Sequence, residues 1–185
     1  RPADARTDVF SLAAVLYEGL TRAPVRRGAR TFDQHMRIAN DILLCHGTPA
    51  SDLEYLLEDE VGDGVILSSP EAIAGRLGGD PAGLVLCGHS HIPRVCRSMG
   101  RTGSSWIVNP GSVGLPAYDF RKRYVESGDP HARYAIVDWE RGSARVELIA
   151  VEYDWDAASR DAATNGRLEW AHALATGYAL RDDSV

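Results

Sequence analysis

The sequence predicts an α/β fold. Three short apolar runs, Ile42 to Cys45, Leu84 to Cys87 and Trp106 to Val108, each break off at glycine- or proline-bearing chain, as strands buried on both faces do. Helically spaced stretches lie between and after them. The chain has 185 residues and 44% are apolar, enough for one domain with a core.

Taken in order, the β-type pattern begins at Met36, and Ile42 to Cys45 is the first clear strand. Ala50 to Asp59 is predicted as a helix, with Ser51 as N-cap and Leu53, Leu56 and Leu57 on one face. Val65 to Leu67 is extended, and Pro70 to Leu77 is a helix opened by proline in its first turn. Leu84 to Cys87 is the central strand. Val95 to Met99 and Trp106 to Val108 are antiparallel partners across Gly100-Arg101-Thr102-Gly103. Ala135 to Trp139 and Ala144 to Val151 form a second hairpin. In the latter strand Arg145 and Glu147 alternate with Val146 and Leu148, so one face should be wet. Two helices, Asp156 to Thr164 and Arg167 to Thr176, close the chain on either side of Asn165-Gly166. Trp155 and Trp170 are expected to pack them. Gly62-Asp63 and Gly79-Asp80 read as turns.

Net charge is −6, and Lys122 is the one lysine among 20 basic residues, so no nucleic-acid-binding surface is indicated. Cys45, Cys87 and Cys96 are odd in number, and two sit within apolar strands, where cysteine acts as a small hydrophobe. Disulfides are not expected, and a reducing cytoplasm fits. No apolar run approaches the roughly 20 residues that span a bilayer, and no signal peptide is evident.

The chemistry concentrates at the ends of the three apolar runs. Cys45-His46-Gly47-Thr48-Pro49 ends the first, Cys87-Gly88-His89-Ser90-His91 the second, and Asn109-Pro110-Gly111-Ser112-Val113-Gly114 the third. In open α/β sheets ligands sit beyond the carboxyl ends of the strands, where these residues fall. In an extended segment His89 and His91, two residues apart, point to the same side. Neutral imidazole suits Zn, Mn or Fe. Asn109, Gly111 and Ser112 are candidate loop residues, glycine permitting close backbone approach. His35, His131 and His172 lie in polar or helical contexts without a partner motif and are read as ordinary histidines.

In this order the three ends resemble the late motifs of the calcineurin-like metallophosphoesterases, in particular the small bacterial phosphodiesterase branch. The resemblance covers about residues 36 to 180. It implies the second half of a calcineurin-like two-sheet sandwich with flanking helices. It also implies a dinuclear divalent-metal site (Mn, Fe or Zn), with His46 and His89 on one metal and His91 on the other. The expected activity is hydrolysis of a phosphoester, most plausibly a phosphodiester. The family's early motifs Gly-Asp-x-x-Asp and Gly-Asn-His-Asp do not occur upstream of His46. The chain is therefore expected to carry only the late half of the site, and no catalytic residue beyond the ligands is assigned. The alternative is a non-catalytic fragment or binding module. Missing strands would leave sheet edges open to self-association.

Residues 1–30 differ from the rest. Six arginines stand against Asp4, Asp8 and Glu18, whereas the remainder is acidic. Residues 2–24, including Asp8-Val9-Phe10-Ser11-Leu12, resemble a C-lobe segment of bacterial serine/threonine protein kinases, with Ala13 where those have glycine. No glycine-rich loop, catalytic loop or Asp-Phe-Gly accompanies it. Val9, Leu12, Leu16 and Leu20 also fit a simple amphipathic helix over about 8 to 20. The expected division is a leader and linker over 1–30, foreign or native, followed by a partial domain over 31–185. A kinase-related regulatory piece is the weakest alternative.

Overall fold

The computed structural model describes residues 35–38, 41–100, 103–120 and 122–181, so the leader and its kinase-like segment lie outside the described residues. Strands β1 (His35–Ile38), β2 (Ile42–Cys45), β5 (Leu84–Leu86), β6 (Arg94–Gly100) and β7 (Gly103–Asn109) form one sheet in the order β1-β2-β5-β7-β6. The three central strands β2, β5 and β7 run parallel, and the edge strands β1 and β6 are antiparallel to their neighbours.

Parallel strands are buried on both faces, which is why these runs are apolar without alternation. Leu43, Val85 and Ile107 lie side by side in register and are at most 1% exposed. They pack with Leu56, Leu57, Ile73 and Leu77. Ile73 and Leu77 come from α1 (Pro70–Arg76) and its C-cap. Ser69 caps this helix by accepting a hydrogen bond from the Ala72 amide, and Pro70 opens it. Each such buried side chain contributes about 1.5–3 kcal/mol by leaving water.

Residues 50–59 do not form the predicted helix. The chain turns tightly at Thr48 and Ser51 and then enters strand β3 (Glu58–Val61), which pairs with β4 (Gly64–Leu67) across a turn at Gly62-Asp63. Two features override the helical spacing of the leucines. Leu56 and Leu57 are both buried, while Leu53 is 61% exposed. The three consecutive carboxylates also reach three separate arginines: Glu58 with Arg94 at 2.8 Å, Asp59 with Arg76, and Glu60 with Arg123 at 3.1 Å. A strand displays them to both sides; a helix would crowd them.

A further hairpin, β8 (Ala117–Phe120) with β9 (Arg123–Glu126), was not predicted. The long hairpin β10 (Ala132–Glu140) with β11 (Ser143–Val151) matches expectation in place and pairing. Its ends meet loops of the main sheet, with Trp139 Nε1 donating to Asp41 Oδ2 at 3.0 Å and Arg133 packed over Gly111. Leu148 was expected on its dry face but is 41% exposed.

Helices α2 (Trp155–Thr164) and α3 (Leu168–Thr176) complete the chain and are tied by Ser159 Oγ donating to the Ala171 carbonyl. Trp155 lies against His131 and Tyr153, and Trp170 is 39% exposed beneath the Arg167 guanidinium. No helix among the described residues is long and apolar enough to cross a membrane.

Candidate functional site

Strand β2 delivers His46 at its carboxyl end, and the adjacent parallel strand β5 delivers Cys87, Gly88 and His89 at the same edge. The Gly88 amide donates to the His46 carbonyl at 2.9 Å, clamping the two ends together. Gly47 is required by its surroundings, since a Cβ there would lie 2.3 Å from the Glu54 carbonyl oxygen and 2.7 Å from that of Ser51. The chain after His46 therefore folds back over it.

The result is that His46 Nε2 and His89 Nδ1 stand 3.1 Å apart. Two imidazole nitrogens bound to one ion at about 2.0–2.1 Å lie roughly 3 Å from each other, so this pair has the spacing of two ligands on a single cation. Burial lowers the His89 pKa to about 4, with repulsion from His46 and His91 adding to it and the Leu53 backbone opposing. The ring is thus neutral at physiological pH, the form that binds metal. Its Nε2 is buried and meets no partner of standard hydrogen-bond geometry among the described residues, although the Leu53 backbone is near enough to favour the protonated ring slightly.

The segment from Gly88 to His91 is not extended, so the same-side expectation for the histidine pair fails. His89 and His91 adopt φ of 66° and 58°, a left-handed conformation that costs a side-chain-bearing residue roughly 1–2 kcal/mol. His91 turns instead to the third strand's loop, its Nδ1 lying 2.7 Å from the Leu115 carbonyl. A carbonyl only accepts, so Nδ1 carries a proton. Among the described residues no three His, Cys, Asp or Glu side chains converge as a cation site.

Asn109, Gly111 and Ser112 shape the loops around the imidazoles. Asn109 is fully buried; its Nδ2 donates to the Gly88 carbonyl and to Ser90 Oγ, and its Oδ1 accepts from the Gly111 amide. Gly111 has φ of 91° and lies so close to Arg133 that a Cβ would come within 2.9 Å of it. Ser112 Oγ accepts from the Leu115 amide, fixing the carbonyl that holds His91.

Sequence reasoning missed the aromatic wall. Tyr55 stacks on His89 with ring centres 4.6 Å apart, and Phe120 meets it edge-on. Tyr118 donates its hydroxyl proton to the His89 carbonyl at 2.6 Å and lies 3.3 Å from the Tyr55 hydroxyl. Burial raises the Tyr118 pKa far above its ordinary value, so it remains a donor. No motif marks these residues, because they gather only when β8 folds back over the strand ends.

Fold and site together define an α/β domain that gathers histidines at the carboxyl ends of adjacent parallel strands. The sequence profile of the calcineurin-like phosphoesterase superfamily domain matches residues 30–142, well over half of the chain, and the chain belongs to that superfamily. Its members are metal-dependent phosphoesterases that bind divalent ions. No curated protein matches the chain in sequence.

Proposed function

We propose that the chain takes part in hydrolysis of phosphodiesters, with His46 and His89 holding one divalent ion (Mn, Fe or Zn) and His91 contributing to a second. The observation that carries this reading is the 3.1 Å approach of two imidazole nitrogens from neighbouring strand ends, one of them kept neutral by burial. Divalent ions held there would supply Lewis acidity toward the phosphoryl oxygens of the substrate.

The chain's own contribution is orientation. Tyr55 stacking fixes the plane of the His89 ring, the Tyr118 hydroxyl fixes its backbone, and the Leu115 carbonyl sets the His91 tautomer. No carboxylate joins the imidazoles among the described residues, and the early family motifs Gly-Asp-x-x-Asp and Gly-Asn-His-Asp do not occur before His46. The chain then supplies the late half of the site, and the remaining ligands come from groups beyond those described. Free thiols at Cys45, Cys87 and Cys96 suit a reducing cytoplasm.

The test is a Mn²⁺-supplemented assay on an aryl phosphodiester, with an aryl monoester alongside, run on the chain alone and mixed with a superfamily N-terminal half. Diesterase activity that requires the complement and disappears in His89→Ala supports the reading. Absence of turnover in the mixture, despite stable association of the halves, would leave the binding-module alternative standing.

A further inference from the structure

We propose that Glu58 is a positioning residue that holds the two-histidine loop in its left-handed shape, acting through Ser90 and Arg94. The inference rests on the metal-site reading above, and nothing in the strand-end motifs points to it.

Glu58 lies on β3, outside the sheet that delivers the histidines, and its side chain is 1% exposed. Its Oε1 accepts from Arg94 Nε at 2.8 Å, at the start of β6 just beyond the loop. Its carboxylate also meets the hydroxyl of Ser90, the residue between His89 and His91, which is fully buried. Ser90 Oγ already accepts from Asn109 Nδ2 at 3.0 Å, which leaves its own proton available to the neighbouring Glu58 carboxylate. Ser90 is thereby fixed from two sides, by Asn109 and by Glu58.

That double hold answers a specific need. The residues on either side of Ser90 both sit in a backbone conformation that side chains ordinarily avoid, and such a shape persists only where the surroundings over-determine it. Stability alone does not account for the carboxylate, because a buried ion pair is often no better than an apolar pair of equal volume. Removing it leaves the Ser90 hydroxyl and the Arg94 guanidinium without their acceptor. The loop would then relax and carry both imidazoles away from their present places.

The experiment compares the intact chain with Glu58→Leu, Glu58→Gln and Asp59→Asn. The last breaks the neighbouring ion pair with Arg76 on the same strand without touching Ser90. Two readouts are taken on variants with wild-type circular dichroism: Co²⁺ affinity from its visible absorption, and the NMR shifts of the His89 and His91 ring protons without metal. Glu58→Leu should weaken Co²⁺ binding about 10- to 100-fold and move both sets of ring shifts. Glu58→Gln, which still accepts, should recover most of both, and Asp59→Asn should change neither. A folded Glu58→Leu protein with wild-type affinity and wild-type ring shifts overturns the proposal. If Co²⁺ binding proves indifferent to His89→Ala, the metal reading fails separately, and the metal-free ring shifts alone decide the role of Glu58. Should Glu58→Leu not fold, Ser90→Ala cuts the same link and must move the ring shifts; unmoved shifts overturn the proposal there too.

Discussion

His46 Nε2 and His89 Nδ1 face each other across 3.1 Å although 43 positions separate them in the chain. Parallel pairing of β2 with β5 makes that approach, and it places a depressed histidine pKa in the folded state.

The depressed value has a definite consequence for stability. His89 titrates near 4 when folded and near 6.5 when unfolded, so the unfolded chain binds more protons between those pH values. Metal-free protein should lose stability as pH falls from about 6.5 to about 4, by at most about 3 kcal/mol from this residue. Above that window the contribution is fully present. Urea unfolding at a series of pH values, with His89→Asn as reference, measures it; an equally steep fall in the variant would assign the effect to other groups.

Tyr118→Phe should cost about 1 kcal/mol, because it removes the 2.6 Å hydrogen bond to the His89 carbonyl and leaves that carbonyl in an aromatic surrounding. Tyr55→Phe loses only the longer 3.3 Å contact and keeps the stacked ring, so it should cost less. Equal losses in chemical denaturation would show that the hydrogen bond to the His89 carbonyl counts for no more than the contact between the two hydroxyls.

Gly47→Ala should be among the most damaging single substitutions in the chain, about 3 kcal/mol or more, since two backbone carbonyls occupy the space a Cβ needs. Gly78→Ala provides the contrast: its surroundings are open, and only its φ of 65° resists, at about 1 kcal/mol. Comparison of the two melting temperatures checks whether the chain closes over His46 as described.

On the outer face of the β10–β11 hairpin, Tyr134, Ile136 and Val151 are 45%, 47% and 40% exposed. We expect the chain to self-associate at micromolar concentration through such surface and its sheet edges. Ile136→Lys should shift sedimentation velocity profiles toward monomer. An unshifted profile would place the association elsewhere.

What the sequence disclosed follows from where information is local. The apolar runs 42–45, 84–87 and 106–108, the two long hairpins and the terminal helices all declare themselves by period and turn residues. The strand-end position of His46 and His89 followed from the same grammar. Residues 50–59 misled because Leu53, Leu56 and Leu57 carry helical spacing, whereas the pairing of Glu58, Asp59 and Glu60 with distant arginines decides the outcome. The hairpin β8–β9 was invisible for a related reason: Ala117–Phe120 has no alternation, and its value lies in bringing Tyr118 and Phe120 to a histidine some 30 positions earlier. The left-handed turns at His89 and His91 are set by Ser90, Asn109 and Tyr118, none of which signals a positive φ.

The three carboxylates of β3 find their arginines at separations of 17, 36 and 63 residues. The nearest partner closes a short loop, while the other two wait for more distant chain to arrive. We expect Glu58 to stay unpaired until β6 docks, so that the histidine loop acquires its shape late. Weakening Glu58 should accordingly hasten unfolding and leave the refolding rate nearly unchanged, which stopped-flow measurement of both arms would reveal. A domain built in that order can mature its fold before its chemistry.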